Sequence, residues 1–363
     1  MAFSTDITTF WQEFAQTEAE LSALPLRERM ERANDILAKH VGDLALEMSA
    51  KPEDEVADLI VTAHGTLEHF PLLMELVAAA PSLKHHAVRA FRERTAQPGF
   101  GMGMNGFNLA TSDVLVSCGA YDGSIALEIR FAREIPQDFI DNACHMVYIM
   151  LDHVLGEYDF AVKVGPVDFV DEAQDPDATW ISLDQLPAVF DAFWLNELGR
   201  TGDFPVGGGR WSVMTLQMNQ GEGDAEGDEE QRDDVAADGE NSEAAPDIAL
   251  VSVNQSANAV AMRADLTHAF SLSLPAFDKP SLAMAREIQD QAATLLEQPQ
   301  IGILACTIVR GGYREAVYYV GDVDLAERTL APILARDEVD SEAVSVEFDP
   351  NWSRYFEFAV HGE

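Results

Sequence analysis

Apolar positions three and four apart mark the first forty residues as two helices. In Thr5 to Leu24, Ile7, Phe10, Trp11, Phe14 and Leu21 fall near one face, and Pro25 ends the run. Leu26 to Val41 repeats the pattern with Met30, Ala33, Ile36 and Leu37, and Gly42 is its stop. Shorter apolar runs then predict strands at Leu44 to Met48 and Ala57 to Ala63, a helix from Leu67 to Ala80, and a short strand from Val88 to Arg92. Glycines 99, 101, 103 and 106 read as a flexible loop. Val114 to Cys118 and Ile125 to Phe131 flank Asp122-Gly123, a hairpin signal. A helix from Pro136 to Leu155 and a strand from Tyr158 to Phe169 follow. In the helix Leu183 to Leu198, the stripe Phe190, Phe193, Trp194 and Leu198 reads as packing.

The Gly-rich, polar stretch Gly199 to Gly209 marks a boundary: residues 1–200 form one domain, 201–209 a linker and 210–363 a second. The second opens with strands Trp211 to Met218 and Ile248 to Val253. Between them, residues 219–247 carry twelve Asp or Glu against the single Arg232. So few apolar groups cannot offset ordering entropy, so this insert is expected to be disordered and to sit at a hairpin tip. Two β-rich runs, Ile301 to Arg310 and Tyr313 to Val320, meet at Gly311-Gly312, which can adopt the left-handed turn without a Cβ clash. With a strand at Ala264 to Leu274, helices at Ser281 to Glu297 and Asp324 to Ala335, and a last strand at Ala343 to Phe348, the order is β-α-β-β-α-β.

The expectation is therefore an α+β chain of two α/β-sandwich domains, the C-terminal one ferredoxin-like. From Ala57 onward the N-terminal half spells the same succession, which admits a second, similar sandwich, although no residue-level repeat links the halves.

Charge narrows the functional classes. Against 63 acidic residues stand 23 basic ones, a formal net of -40. Such a chain repels nucleic acid and anionic membranes, so its natural macromolecular partner is a basic protein. Solubility spread over the surface is the competing reading. The N-terminus has neither a basic n-region nor an apolar h-region, and no apolar run approaches membrane-spanning length, which predicts a cytoplasmic protein. Cys118, Cys144 and Cys306 lie far apart in apolar runs and form no disulfide or metal pattern.

Catalytic signatures are weak. The histidines (64 and 69, 85 and 86, 145 and 153) lack the convergent spacing of a zinc site, and no cofactor is implied. The glycines at 99 to 106 lack a phosphate loop's Gly-Lys-Ser/Thr ending, and no Gly-x-Ser-x-Gly elbow is present. One concentration of positive charge exists, Lys84, Arg89, Arg92 and Arg94 beside His85 and His86, on which the acidic insert could dock.

Two segments carry a resemblance. Gly312-Tyr313-Arg314-Glu315 and Asp349-Pro350-Asn351-Trp352-Ser353-Arg354-Tyr355 are similar to the Gly-x-Arg-Glu strand and terminal Asp-Pro-x-Trp-x-x-Tyr of a bacterial family catalogued as domain of unknown function 695. That resemblance spans roughly Arg210 to Phe358 and implies a fold similar to the regulator of ribonuclease activity B. The N-terminal half resembles uncharacterised bacterial proteins with a Leu-Asp-x-x-Leu-Gly-Glu-Tyr segment, here Leu151 to Tyr158, and no activity comes with it. Trp352 and Tyr355 either cap the core or form an exposed aromatic patch, with Asp349 accepting bonds in the turn. Arg314 and Glu315 suit a cross-strand ion pair or a contact surface.

These features point to a non-enzymatic regulatory or interaction protein that binds a basic protein partner such as a ribonuclease or a toxin. Its candidate binding residues are Arg314, Glu315, Asp349, Trp352, Tyr355, Lys84, Arg89 and Arg92. The alternative is a hydrolase or metal-dependent enzyme with a site between the domains.

Overall fold

The computed structural model describes residues 4–49, 56–95, 99–171, 178–207, 209–218 and 247–359. Helices and strands mix in an α+β chain, as the pattern predicts, and it divides into two compact units, Met1–Arg200 and Thr201–Glu363.

In the first unit, helix α1 (Thr5–Ser22) starts where Ser4 Oγ accepts the Ile7 amide, and it buries the predicted apolar face. Helix α2 (Leu26–Leu37) follows Pro25. Its Asn34 side chain donates to the Leu46 carbonyl at 2.7 Å and accepts the Leu46 amide at 2.8 Å. That occupies the open edge of strand β1 (Ala45–Ser49), a position that would otherwise invite another strand. β1 pairs antiparallel with β2 (Ala57–Thr62), and after helix α3 (Phe70–Ala78) the strand β3 (His86–Ala90) lies parallel to β2.

The glycines expected to form a loop instead build a hairpin. β4 (Gly101–Met104) and β5 (Phe107–Ala110) pair across Asn105-Gly106, whose φ angles of 51° and 84° suit a tight primed turn. The predicted Asp122-Gly123 hairpin joins β6 (Val114–Tyr121) to β7 (Ser124–Phe131). Helix α4 (Ile140–Leu155) packs Ala143, Met146, Val147 and Met150 on Val116, Leu127 and Ile129 of that hairpin. Tyr158 to Phe169 is not one strand: Gly156, at φ 81°, ends α4, a short helix α5 (Glu157–Lys163) follows, and only β8 (Val164–Phe169) is extended. Glu157 and Asp159 in the first turn of α5 favour its helical start. Strand β9 (Ile181–Ser182) and helix α6 (Leu186–Asn196) complete the unit.

The admitted second β-α-β-β-α-β sandwich is not what these strands build. β2 sits in a sheet ordered β1-β2-β3, whereas β6 and β7 belong to a separate sheet ordered β8-β7-β6-β9. β3 takes the edge of β2 through the local α3 crossover, and the β6-β7 hairpin buries its own face against α4.

The second unit follows the predicted succession. β10 (Trp211–Met218) pairs antiparallel with β11 (Asp247–Asn254), so the expected hairpin stands on both sides of the acidic segment. Residues 219–246, and with them the expectation of disorder, lie outside the described residues. Then come β12 (His268–Pro275), α7 (Lys279–Glu297), β13 (Gly302–Arg310), β14 (Tyr313–Val320), α8 (Val323–Leu334) and β15 (Val344–Phe348), closed by α9 (Ser353–Ala359). The strands form one antiparallel sheet ordered β10-β11-β13-β14-β12-β15. Gly311 and Gly312 turn the β13-β14 hairpin at φ 58° and 82°.

Strand pleating divides this sheet into two faces. Ala316, Tyr318 and Val320 of β14 pack with Phe270, Leu272, Ile288 and Leu330 under α7 and α8. Glu315, Val317 and Tyr319 point the other way, where Tyr319 meets Trp352 and Glu315 meets Arg354 of α9.

Candidate functional site

The Asp-Pro-x-Trp-x-x-Tyr segment is a structural fastening of α9. Asp349 is 5% exposed, and its carboxylate accepts the Ser353 amide at 2.8 Å, the Arg354 amide at 3.1 Å and the Tyr319 hydroxyl at 2.6 Å. Trp352 and Tyr355 are fully buried rather than an exposed patch. Trp352 adopts φ 57° and donates Nε1–H to the Leu266 carbonyl at 2.8 Å, while Tyr355 donates its hydroxyl to the Asn254 carbonyl at 3.1 Å. Burial, reinforced by the Asp349 carboxylate, pushes the Tyr319 phenol far up, so it stays a donor.

Beside this fastening lies a cleft of about 450 Å³. Leu216, Ala249, Val251 and Ile308 give it an apolar floor, and Glu315, Arg354, Glu357 and Tyr313 supply polar walls. Arg354 donates Nη2–H to Glu315 at 2.7 Å and Nη1–H to Ser271 Oγ at 2.9 Å. Burial disfavours the guanidinium charge, but Glu315 outweighs it and raises the arginine above its ordinary value. At the rim, Phe277 is 69% and Tyr313 47% exposed, with rings edge to face at 5.3 Å. That aromatic pair is an exposed patch that the sequence pattern does not reveal. Ser273 and Arg310 also line the cleft, and of its two carboxylates, Glu315 and Glu357, Glu315 is tied to Arg354. Such walls suit the holding and orienting of a charged group.

Arg314 and Glu315, adjacent on β14, lie on opposite faces and form no pair with each other. Arg314 is 8% exposed on the helix side, where its carbonyl accepts Gln289 Nε2–H at 2.9 Å.

The three arginines of the first unit's basic cluster are paired within that unit, whereas Lys84 is exposed. Arg89 donates to Asp58 at 2.6 Å, and Arg92 pairs with Glu47 and Asp152. Arg94 donates to Asp159 at 2.6 Å and to Asp191 at 2.8 and 2.9 Å. The Lys84 and His85 amides donate to Glu18 at 3.2 and 2.6 Å. Burial disfavours the Glu47 charge, yet Arg92 outweighs it and holds that carboxyl below its ordinary value. The Leu151 to Tyr158 segment serves the same fastening. Asp152 meets Arg92, and the fully buried Glu157 accepts the amides of Ala63 (2.8 Å), Gly65 (3.1 Å) and Arg92 (3.1 Å).

Burial pushes the Cys118 thiol up to about 11 and the Cys306 thiol up to about 12, so neither is a thiolate near neutral pH. Among the described residues, no three His, Cys, Asp or Glu are grouped to hold a metal, and no helix is long and apolar enough to cross a membrane. Set beside family models, curated proteins and solved structures, the chain matches none of them.

Proposed function

We propose that this is a non-enzymatic regulatory or interaction protein of the cytoplasm whose acidic surface engages a basic protein, a ribonuclease or a toxin being its sharpest form. One observation carries the reading: 63 acidic residues face 23 basic ones, so even complete internal pairing leaves 40 carboxylates without a counter-ion in the chain. The arginines that could have offered a basic surface are already spent on Glu47, Asp58, Asp152, Asp159 and Asp191. An acidic protein of this kind can compete with RNA for a basic groove. The resemblance of the C-terminal half to domain of unknown function 695, and through it to a regulator of ribonuclease activity, supports the same reading.

Tyr313 and Phe277, beside Glu315 and Glu357, are the contact residues this reading selects. Exposed rings next to carboxylates receive a lysine or arginine by cation–π and ionic contact together. The test is capture from native extract at low salt with the intact chain, a Gly221 to Glu243 deletion, and a Tyr313→Ala/Phe277→Ala double variant. A basic ribonuclease or toxin that purified binds the intact chain, is released by salt and is weakened by the double variant supports the reading. If no basic protein binds at low salt, the reading fails.

A further inference from the structure

On the helix-covered side of the six-stranded sheet, α7 and α8 leave the β10-β11 hairpin uncovered among the described residues. Trp211 is 43%, Val213 64% and Leu250 39% exposed, all on that face. Between them and α7 runs a groove of about 310 Å³, into which Arg314 points from β14 and Arg286 and Asp290 from α7.

Arg314 is the unusual member. The residue is 8% exposed, and its Nη1 is buried with no hydrogen-bond partner among the described residues. A guanidinium does not shed its proton at physiological pH, so a buried Nη1 without an acceptor leaves that donor's desolvation cost unmet by a hydrogen bond. The burial pulls Arg314 below its ordinary value, and Asp290 counters only in part. Buried donors of this kind are rare in native proteins unless something else supplies the acceptor.

We propose that this groove binds a small organic monocarboxylate with an apolar body, its carboxylate on Arg314 and Arg286 and its body against Trp211, Val213 and Leu250. Charge selects the class. Two guanidiniums and the Asp290 carboxylate leave one positive charge, which a single carboxylate neutralises and a dicarboxylate overshoots. A planar fork facing a carboxylate is the geometry arginine favours. A volume of about 310 Å³ walled by apolar residues with a few polar groups suits a small free molecule. The site lies on the face opposite Glu315 and Arg354, so it stands or falls independently of the basic-partner reading.

The test titrates the full-length protein with phenylacetate, and separately with the neutral phenylacetamide and the cationic phenethylamine, while nitrogen-15 NMR follows the Arg314 Nε–H and Trp211 indole signals. Phenylacetate is expected to shift both signals with millimolar saturation, and neither control to do so. Arg286→Gln, at an exposed position, is expected to weaken binding several-fold with the fold intact. Arg314→Met is expected to abolish the Trp211 shift while leaving the free protein at least as resistant to denaturant, because it removes a buried charge that Asp290 offsets only in part. Signals that do not move with phenylacetate, or that move equally with phenylacetamide, overturn the assignment. So does an Arg286→Gln protein that binds like the parent.

Discussion

Trp352 lies flat on Tyr319, ring centroids 3.8 Å apart and planes within 9° of each other. The stack joins the residue before α9 to the C-terminal end of β14, and both rings are fully buried. Trp352 holds a left-handed backbone angle to reach it, a conformation that a large side chain adopts only when its surroundings reward it. Trp352→Ala is expected to destabilise the second unit by about 3–5 kcal/mol, through the cavity and the lost bond to Leu266. Trp352→Phe, which keeps a ring but not the indole N–H, should lose less. Equilibrium urea unfolding measures both, and equal losses would mean that the ring contributes nothing beyond the hydrogen bond.

Asp349 holds the other side of the same fastening. Its two oxygens receive three donors, two amides of α9 and the Tyr319 hydroxyl. Asp349→Ala strands all three and is expected to cost about 2–3 kcal/mol. Asp349→Asn keeps one acceptor but turns an NH₂ toward a donor, so it should recover little. Amide exchange at Ser353 and Arg354 is the direct readout: protection unchanged in Asp349→Ala would refute the capping role.

Histidine burial sets a pH dependence. His86 is 3% exposed, its Nδ1 lies 3.2 Å from Glu18 Oε1, and the Phe14 ring stands edge-on at 5.6 Å. Burial, the largest influence, lowers it from 6.5; Glu18 opposes this, while Arg29 and His85 add to the lowering. Burial also lowers His153 and His268. A base whose folded pKa lies below its unfolded value binds fewer protons when folded. Its contribution is complete above about 6.5 and is lost as pH falls through the folded value. Stability should therefore decline between about pH 7 and pH 5, before most carboxylates titrate. His86→Gln should flatten that slope. An imidazole titration that places His86 above 6.5 would show that Glu18 outweighs burial.

What could be read in the chain beforehand depended on how local the cause was. Gly311-Gly312 and Asp122-Gly123 announce their hairpins because a left-handed turn needs small or Asp/Asn-type residues in place. Asn105-Gly106 carries the same signal but is hidden among glycines 99, 101 and 103, which read as flexibility. Pleating alone separates Arg314 from Glu315. The bare groove above Arg314 depends on α7 covering only part of a six-stranded sheet, which no window of sequence reveals. Arg92 and Arg94 looked available because their partners Glu47, Asp152, Asp159 and Asp191 are remote in sequence.

Glu157 tests how far such remote fastening governs the first unit. One oxygen accepts the amides of Ala63 and Gly65 after β2, and the other accepts the amide of Arg92 after β3. The Arg92 carbonyl accepts the Glu157 amide at 3.0 Å in return. A Cβ at Gly156 would meet that carbonyl at 3.1 Å, so glycine is the residue that lets the chain come this close. Glu157→Gln keeps the shape but has one acceptor oxygen, so either the β2 amides or the β3 amide must face its NH₂. The expected cost is about 2–3 kcal/mol, with faster amide exchange at Ala63, Gly65 or Arg92 and none of that change at Ser353 in the second unit. If exchange at all three amides stays as in the parent, the carboxylate is not what fastens β2 and β3 to α5, and the Leu-Asp-x-x-Leu-Gly-Glu-Tyr segment needs a different physical explanation.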